Sequence, residues 1–205
     1  MGCGLSATAV FIVSLVWAAA NDPTFVPFES YLSDLGVGPE AVVFNAALVT
    51  AGILVLPFAI LGLWPVLRRS LWSIPATVSL CLAGAFTMTV GLYTEDDLEM
   101  HTDASMGVFI SMAATGVLAW LALRAHDPLG RRVTDFTQVV AILGAFLVPV
   151  SGHPFFETIM AMAAFVWLPL VALVRLKQLL VQAMAPGARG APLVAGQDVH
   201  IETAK

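Results

Sequence analysis

Charged residues are scarce in this sequence, and their scarcity argues against a soluble globular protein. Only 11% of the 205 residues are Asp, Glu, Lys or Arg, where soluble domains have roughly 25%. Hydrophobic residues make up 59% of the chain, and the mean hydropathy is +0.90. No basic patch with interleaved aromatic residues is present, so nucleic acid is not an expected partner. The two cysteines, Cys3 and Cys81, fall at different depths of the predicted spans, so we expect no disulfide between them.

Six apolar runs are long enough to cross a membrane as helices, which takes roughly 17 to 25 residues. They lie near 5–21, 40–65, 72–94, 103–124, 136–151 and 155–174. Their interiors carry no ionisable side chain, and a helix satisfies its own backbone in lipid. Small residues inside them allow close helix packing: Ala47, Ala51, Gly84, Ala113 and Ala164. The sequence therefore predicts an all-α, polytopic membrane helix bundle with six transmembrane helices over residues 1–185, followed by a mobile cytoplasmic tail over 186–205.

The charges are divided between alternate connections. All nine Lys and Arg residues lie on one side of the predicted membrane, at 68–69, 124–132, 175–177, 189 and 205. Ten of the fourteen Asp and Glu residues lie on the other side, at 22–40, 95–103 and 157. Because basic loops stay in the cytoplasm, we expect both termini to be cytoplasmic and the acidic loops to be extracytoplasmic.

The first apolar run has a second interpretation. Residues 18–20 are three alanines, similar to the small-residue end of a secretory signal peptide, but the run has no basic region before it. We favour a retained first span. Cleavage would leave five spans and place the N-terminus outside.

Short motifs along the chain resemble those of a known family. They are Ser33-Asp34-Leu35-Gly36, Asn45 and Gly52, then Gly91 to Tyr93 before an acidic loop that ends in His101, and Ser151-Gly152 with Glu157 ahead of Trp167. In these features nearly the whole chain resembles the bacterial and archaeal six-span family called domain of unknown function 998. The resemblance implies six helices in a bacterial or archaeal plasma (inner) membrane. It implies no particular activity.

Polar side chains collect on the predicted extracytoplasmic face: Ser33, Asp34, Asn45, Asp97, His101, Ser151, His153 and Glu157. Asp97 and His101 are four residues apart, as are His153 and Glu157, so each pair would share one face of a helix. Imidazole and carboxylate groups are ordinary ligands of a divalent metal such as Zn²⁺, which can activate a bound water. The candidate metal ligands are therefore His101, His153, Asp97 and Glu157, and the candidate catalytic residues are Ser33, Asp34, Asp97 and His101.

The same residues also have a structural interpretation. Predicted spans two, four and six begin on this face. An acid near the start of a helix interacts favourably with the helix dipole and stabilises the helix by roughly 0.3–1 kcal/mol. Ser33 or Asp34 would then cap a turn, and both histidines would be interfacial polar residues. Asn45 lies about one turn inside the boundary, where an unpaired amide costs about 1–3 kcal/mol. We expect it to donate a hydrogen bond to another helix or to the 33–36 turn.

Two classes of function remain open. The first is an accessory, non-catalytic membrane protein whose outer face binds membrane lipid, a lipid headgroup or a membrane-protein partner. The second is a metal-dependent membrane hydrolase or lipid-modifying enzyme with its site at the outer leaflet. The sequence lacks His-Glu-x-x-His and Gly-x-Ser-x-Gly motifs. The enzyme hypothesis requires both histidines and one of Asp34, Asp97 or Glu157 to converge within metal-ligand reach.

Overall fold

The computed structural model of the chain describes residues 2–126, 131–150 and 152–184. These residues form six long helices: α1 (Gly2–Asn21), α2 (Ala41–Leu67), α3 (Ser73–Leu92), α4 (Leu98–His126), α5 (Arg131–Leu147) and α6 (Pro154–Met184). Two short 3-10 turns, Leu32–Gly36 and Val148–Val150, complete the described structure, which contains no strand. The predicted all-α helix bundle is confirmed. The predicted tail over 186–205 lies outside the described residues.

Five of the helices are long and apolar enough to cross a membrane: α1, α2, α3, α4 and α6. The chain is therefore an integral, multi-pass membrane protein. Helix α5 is shorter, with 17 residues, and begins with Arg131 and Arg132. It starts five residues before the predicted span and ends at Leu147, because the chain tightens into the Val148–Val150 turn.

The helices form a ring in chain order, each packing on the next, and α6 closes the ring on α1. Close backbone approaches set the first part of this ring. A Cβ atom added to Gly52 would come within 2.5 Å of the Gly84 carbonyl oxygen, so α2 and α3 touch where neither residue has a side chain. Between α3 and α4, the buried Ser79 hydroxyl donates a hydrogen bond of 2.9 Å to the Ser111 carbonyl.

Side-chain contacts close the other part of the ring. Trp167 on α6 is only 1% exposed, and its indole N–H donates to the Thr137 hydroxyl on α5 at 3.0 Å. Phe165 on α6 stacks on Phe11 of α1 with ring centroids 3.8 Å apart. Such pairs gain about 0.5–1.5 kcal/mol beyond the area they bury, so α6 is held on both sides.

The ring has two chemically different ends. We call the end with the connections 22–40, 93–97 and 152–153 the acidic end, and the opposite end the basic end. At the basic end, a π-helical turn in α2, Phe58–Leu63, directs large side chains into the ring. Phe58 and Leu63 are fully buried there, and the Phe58 ring lies against Gly4 and Gly62. These side chains fill space at the centre of the basic half.

Candidate functional site

The first long connection, residues 22–40, is folded over the acidic end. Near its start, Asp22 accepts hydrogen bonds from the Thr24 amide at 2.9 Å and the Thr24 hydroxyl at 2.6 Å. These bonds, the hydroxyl first, lower the pKa of Asp22 below its usual value because they favour the charged form. Phe28 has a φ of 68°, which is uncommon for a residue with a side chain. Its ring lies 6.0 Å from that of Phe155 at the start of α6.

The 3-10 turn Leu32–Gly36 is fixed from both sides. The Asp34 carboxylate accepts a hydrogen bond of 2.9 Å from the Tyr31 amide and so caps the start of the turn. The Asn45 amide group donates to the Gly36 carbonyl at 2.8 Å and so ties the end of the turn to α2. This carbonyl is one of the two kinds of partner expected for Asn45.

The same turn docks on the start of α6. Glu157 Oε2 accepts a hydrogen bond of 3.0 Å from the Leu32 amide, and the neighbouring Ser33 amide also favours its carboxylate. Beside them, the Tyr31 hydroxyl donates to the Gly152 carbonyl at 2.8 Å. Residues 120 or more positions apart are thereby held together at one point of the acidic end.

Asp97 and His101 lie at the start of α4, where both bind backbone groups. Asp97 Oδ1 accepts a 3.3 Å hydrogen bond from the Met100 amide, as a residue preceding a helix commonly does. His101 is buried, and its Nδ1 lies 2.8 Å from the Tyr93 carbonyl oxygen. The structure therefore gives Asp97 and His101, two of the four candidate catalytic residues, a local capping role.

His153 is exposed in the short connection before α6. Its Nδ1 accepts a hydrogen bond of 3.3 Å from the Phe155 amide. Ser151, which the sequence analysis placed on this face, lies outside the described residues. Across residues 2–126, 131–150 and 152–184, no three His, Cys, Asp or Glu side chains form a group that could hold a metal ion. The four candidate ligands thus do not form such a group: His101, His153, Asp97 and Glu157.

A cavity of about 110 Å³ lies inside the ring, in the half nearer the acidic end. Five of the six helices and the Leu32–Gly36 turn contribute to its wall. Most of the lining is apolar and includes Phe11, Ala51, Gly84, Met112, Met160 and Ala164. An engineered apolar cavity of about 150 Å³ binds benzene, so the space is large enough for part of one slender hydrocarbon group.

The cavity is polar only toward the acidic end. Its polar lining residues are Ser33, Thr87, Ser105 and Glu157. Along α6 the lining continues from Glu157 to Leu168, eleven residues further, which is about 16 Å at 1.5 Å per residue. The cavity is therefore narrow and mainly apolar, with the carboxyl group of Glu157 and the hydroxyl group of Ser33 at its acidic end.

Carboxyl groups dominate the charge at this end of the cavity. Burial, and then repulsion from Glu95, raise the pKa of Asp34 above its usual value. Asp34 and Glu95 also act on the charge of Glu157, so three carboxyl groups influence one another. Every described Lys and Arg lies at the basic end. In the part of the chain that the structure describes, no Lys or Arg side chain therefore balances the three acids.

Two parts of this site had no signal in the sequence. The partner of Glu157 is a backbone amide, and backbone donors are the same at every residue except proline. The cavity depends on small residues from different helices facing one space. Ala51, Gly84 and Ala164 were identified as sites of close helix packing. Gly84 does pack closely against Gly52, and the structure also places all three residues in the cavity wall.

Comparison with known proteins gives the family and nothing finer. No curated protein matches the chain, and no solved structure matches it. A family model described as "Protein of unknown function (DUF998)" matches residues 5–174, which cover most of the chain and all the site residues discussed above. The sequence motifs had indicated this family, and the match confirms it. The chain belongs to the DUF998 family of membrane proteins.

Proposed function

We propose that this protein is an accessory lipid-binding protein of a bacterial or archaeal plasma membrane. In this proposal its acidic end faces outward, and one apolar chain of a lipid from the outer leaflet enters the central cavity. The observation that supports it is the position and lining of that cavity. The cavity lies in the acidic half of the ring, and its wall is apolar except for a few polar residues toward the acidic end.

The contrast between the two halves of the ring favours a binding role over simple imperfect packing. Protein interiors are normally packed as densely as organic crystals, and the basic half follows this rule around Phe58, Leu63 and Leu123, which are fully buried. In the acidic half, small residues such as Ala161 and Ala164 stand where larger ones would fill the space. An unfilled apolar cavity costs stability, and a hydrocarbon chain recovers the lost contacts.

The metal-dependent hydrolase remains the alternative from sequence, but no contact among the described residues favours it. His101 and His153 each engage a backbone group. Neither lines the cavity. An enzyme with this site would need both imidazoles to leave these partners and meet at one ion.

A photocrosslinking experiment tests lipid binding at the cavity. The protein is reconstituted in phosphatidylcholine nanodiscs with a twelve-carbon lipid that carries a diazirine on its chain, and adducts are mapped by peptide mass spectrometry. We expect adducts at the cavity residues Met112 and Met160. The substitution Ala164→Phe should reduce them about tenfold, because its ring would occupy cavity space that the lipid chain needs, and a loss of about 1.4 kcal/mol is tenfold in affinity.

A matched substitution separates the cavity from the general lipid surface. Ala85 is exposed on the outside of α3, so Ala85→Phe adds the same side chain without entering the cavity and should leave the Met112 and Met160 adducts unchanged. Adducts on outward-facing residues such as Ile110, which is 54% exposed, measure contact with bulk lipid. If wild-type protein is labelled only on such residues, the proposed function is wrong.

A further inference from the structure

We propose that the ligand is a single-chain amphiphile with a positively charged amine head, whose ammonium group pairs with Glu157 while the adjoining part of its chain occupies the cavity. This inference rests on the proposed function and specifies the chemistry of the head. It is carried by three features: a carboxylate in the cavity wall, its orientation by the Leu32–Gly36 turn, and the position of every described Lys and Arg at the opposite end of the ring.

The Glu157 carboxylate is held in one orientation and has acceptor capacity left. An ionised carboxylate offers about four acceptor positions. The backbone amides of Leu32 and Ser33 use only part of this capacity. Because Glu157 and Ser33 both line the cavity, an ammonium group at its outer limit can donate to a carboxylate and a hydroxyl together.

Among the residues that the structure describes, no Lys or Arg lies at the same end as this carboxylate. All described residues of these two types are at the basic end, whereas Asp34 and Glu95 act on Glu157 with like charge. Of the two described histidines at the acidic end, His101 binds the Tyr93 carbonyl and His153 accepts from the Phe155 amide. Burial without a counterion favours the neutral form of a carboxyl group, and the ammonium head of a ligand would stabilise the charged form of Glu157.

The same charges select against other common lipid heads. A fatty-acid carboxylate or a phosphate placed beside Glu157 would add negative charge next to Asp34 and Glu95, and like charges across an interface cost several kcal/mol. A neutral alcohol could donate one hydrogen bond to Glu157 but would leave the repulsion among the acids unchanged. An ammonium group has three donors and relieves that repulsion.

A comparison of heads on one chain tests the inference. Wild-type protein in phosphatidylcholine nanodiscs is photolabelled with diazirine-bearing dodecylamine, dodecanol and dodecanoic acid, and adducts at Met112 and Met160 are measured relative to adducts at Ile110. We expect the amine to label the two cavity residues about tenfold more than the alcohol does, which corresponds to about 1.4 kcal/mol. The acid should label them least. This comparison needs no variant and therefore does not depend on any variant folding.

A matched pair of variants assigns the preference to one residue. In Glu157→Gln the preference for the amine over the alcohol should fall to within about twofold, because the side chain keeps its shape and loses its charge. Glu99→Gln removes one charge from the same end at an exposed residue outside the cavity wall. It should retain the preference.

The possible failures are distinguishable. Equal labelling of the cavity by all three compounds, or preference for the acid, would overturn the cationic head and leave the proposed lipid-binding function intact. Selectivity that survives unchanged in a folded Glu157→Gln variant would also overturn it. Labelling of Ile110 but not of Met112 or Met160 by any compound would refute the proposed function and the inference with it.

Discussion

The Glu157 carboxylate accepts a 3.0 Å hydrogen bond from the Leu32 backbone amide, across 125 residues of sequence. This bond joins the first connection to the last long helix at the limit of the cavity. Both residues line the cavity. The turn that covers the acidic end is therefore held by the same side chain that we propose to pair with the ligand head.

The structural part of this relationship predicts the behaviour of Glu157→Ala. Removing the carboxylate leaves the buried Leu32 amide without its acceptor, which costs about 1–3 kcal/mol. We expect a lower melting temperature and faster proteolysis within 22–40. The control is Glu99→Ala, an exposed acid at the same end, which should behave as wild type. Equal proteolysis of both variants would show that the Glu157 bond does not hold the connection.

Asn45→Leu should loosen the same connection from its other side. The Asn45 side chain donates to the Gly36 carbonyl at 2.8 Å, and leucine cannot replace that donor. We expect destabilisation by about 0.5–1.5 kcal/mol, the net worth of a typical hydrogen bond, measured as thermal unfolding in detergent. Thr50→Val is the matched change on α2, because Thr50 is exposed and bonds only within its own helix. A melting temperature that is lowered equally by both changes would contradict the role of Asn45.

The sequence predicted the helices well because length and hydropathy determine what can cross lipid. The ends of the helices differ from the ends of the predicted spans. Helix α4 begins at Leu98 and not at 103, and helix α6 continues to Met184 and not only to 174. Polar residues at helix ends tolerate either water or an extra helical turn, so hydropathy does not fix such boundaries.

The candidate site was predictable only in part. Glu157 and Ser33 were identified because polar side chains collect on the predicted extracytoplasmic face, and Asn45 because an amide near the end of an apolar span needs a partner. The sequence did not specify the partner groups of these side chains. Two are the backbone groups of Leu32 and Gly36, and the third feature, the cavity, exists only once five helices and the turn surround one space.

Two of the four acids in the first connection, Asp34 and Asp22, should respond to pH in opposite ways. The pKa of Asp34 is raised above its ordinary value of 3.8, so the folded state binds this proton more tightly than the unfolded state does. The destabilisation due to charged Asp34 is absent below pH 3.8 and grows as pH rises toward and through the folded pKa. Asp34→Asn should therefore gain in melting temperature relative to wild type as pH rises from about 4 to 7.

Asp22→Asn is the control for that experiment. The pKa of Asp22 is lowered below 3.8, so its stabilising contribution is present above 3.8 and is lost as pH falls through the folded pKa. Between about pH 4 and 7 the difference between Asp22→Asn and wild type should stay nearly constant. A flat profile for Asp34→Asn as well would contradict the burial of its carboxylate.

Metal content separates lipid binding from the hydrolase alternative. Because the candidate ligands form no metal-holding group, we expect His101→Ala and His153→Ala to leave the metal content per chain unchanged in protein purified without a metal-binding tag. His126→Ala, at the basic end of α4, is the control. One metal ion per chain that is lost in both of the first two variants and kept in the third would restore the hydrolase.

Orientation in the membrane can be tested with single cysteines. The native Cys3 and Cys81 carry free thiols and must first be replaced by alanine. Glu29 and Arg131 are exposed at opposite ends of the bundle, so cysteine at either position is accessible to a maleimide that cannot cross the membrane. Since basic connections stay in the cytoplasm, intact cells should label Glu29→Cys at once and Arg131→Cys only after permeabilisation. The reverse pattern would place the acidic end in the cytoplasm and would exclude a ligand entering from the outer leaflet.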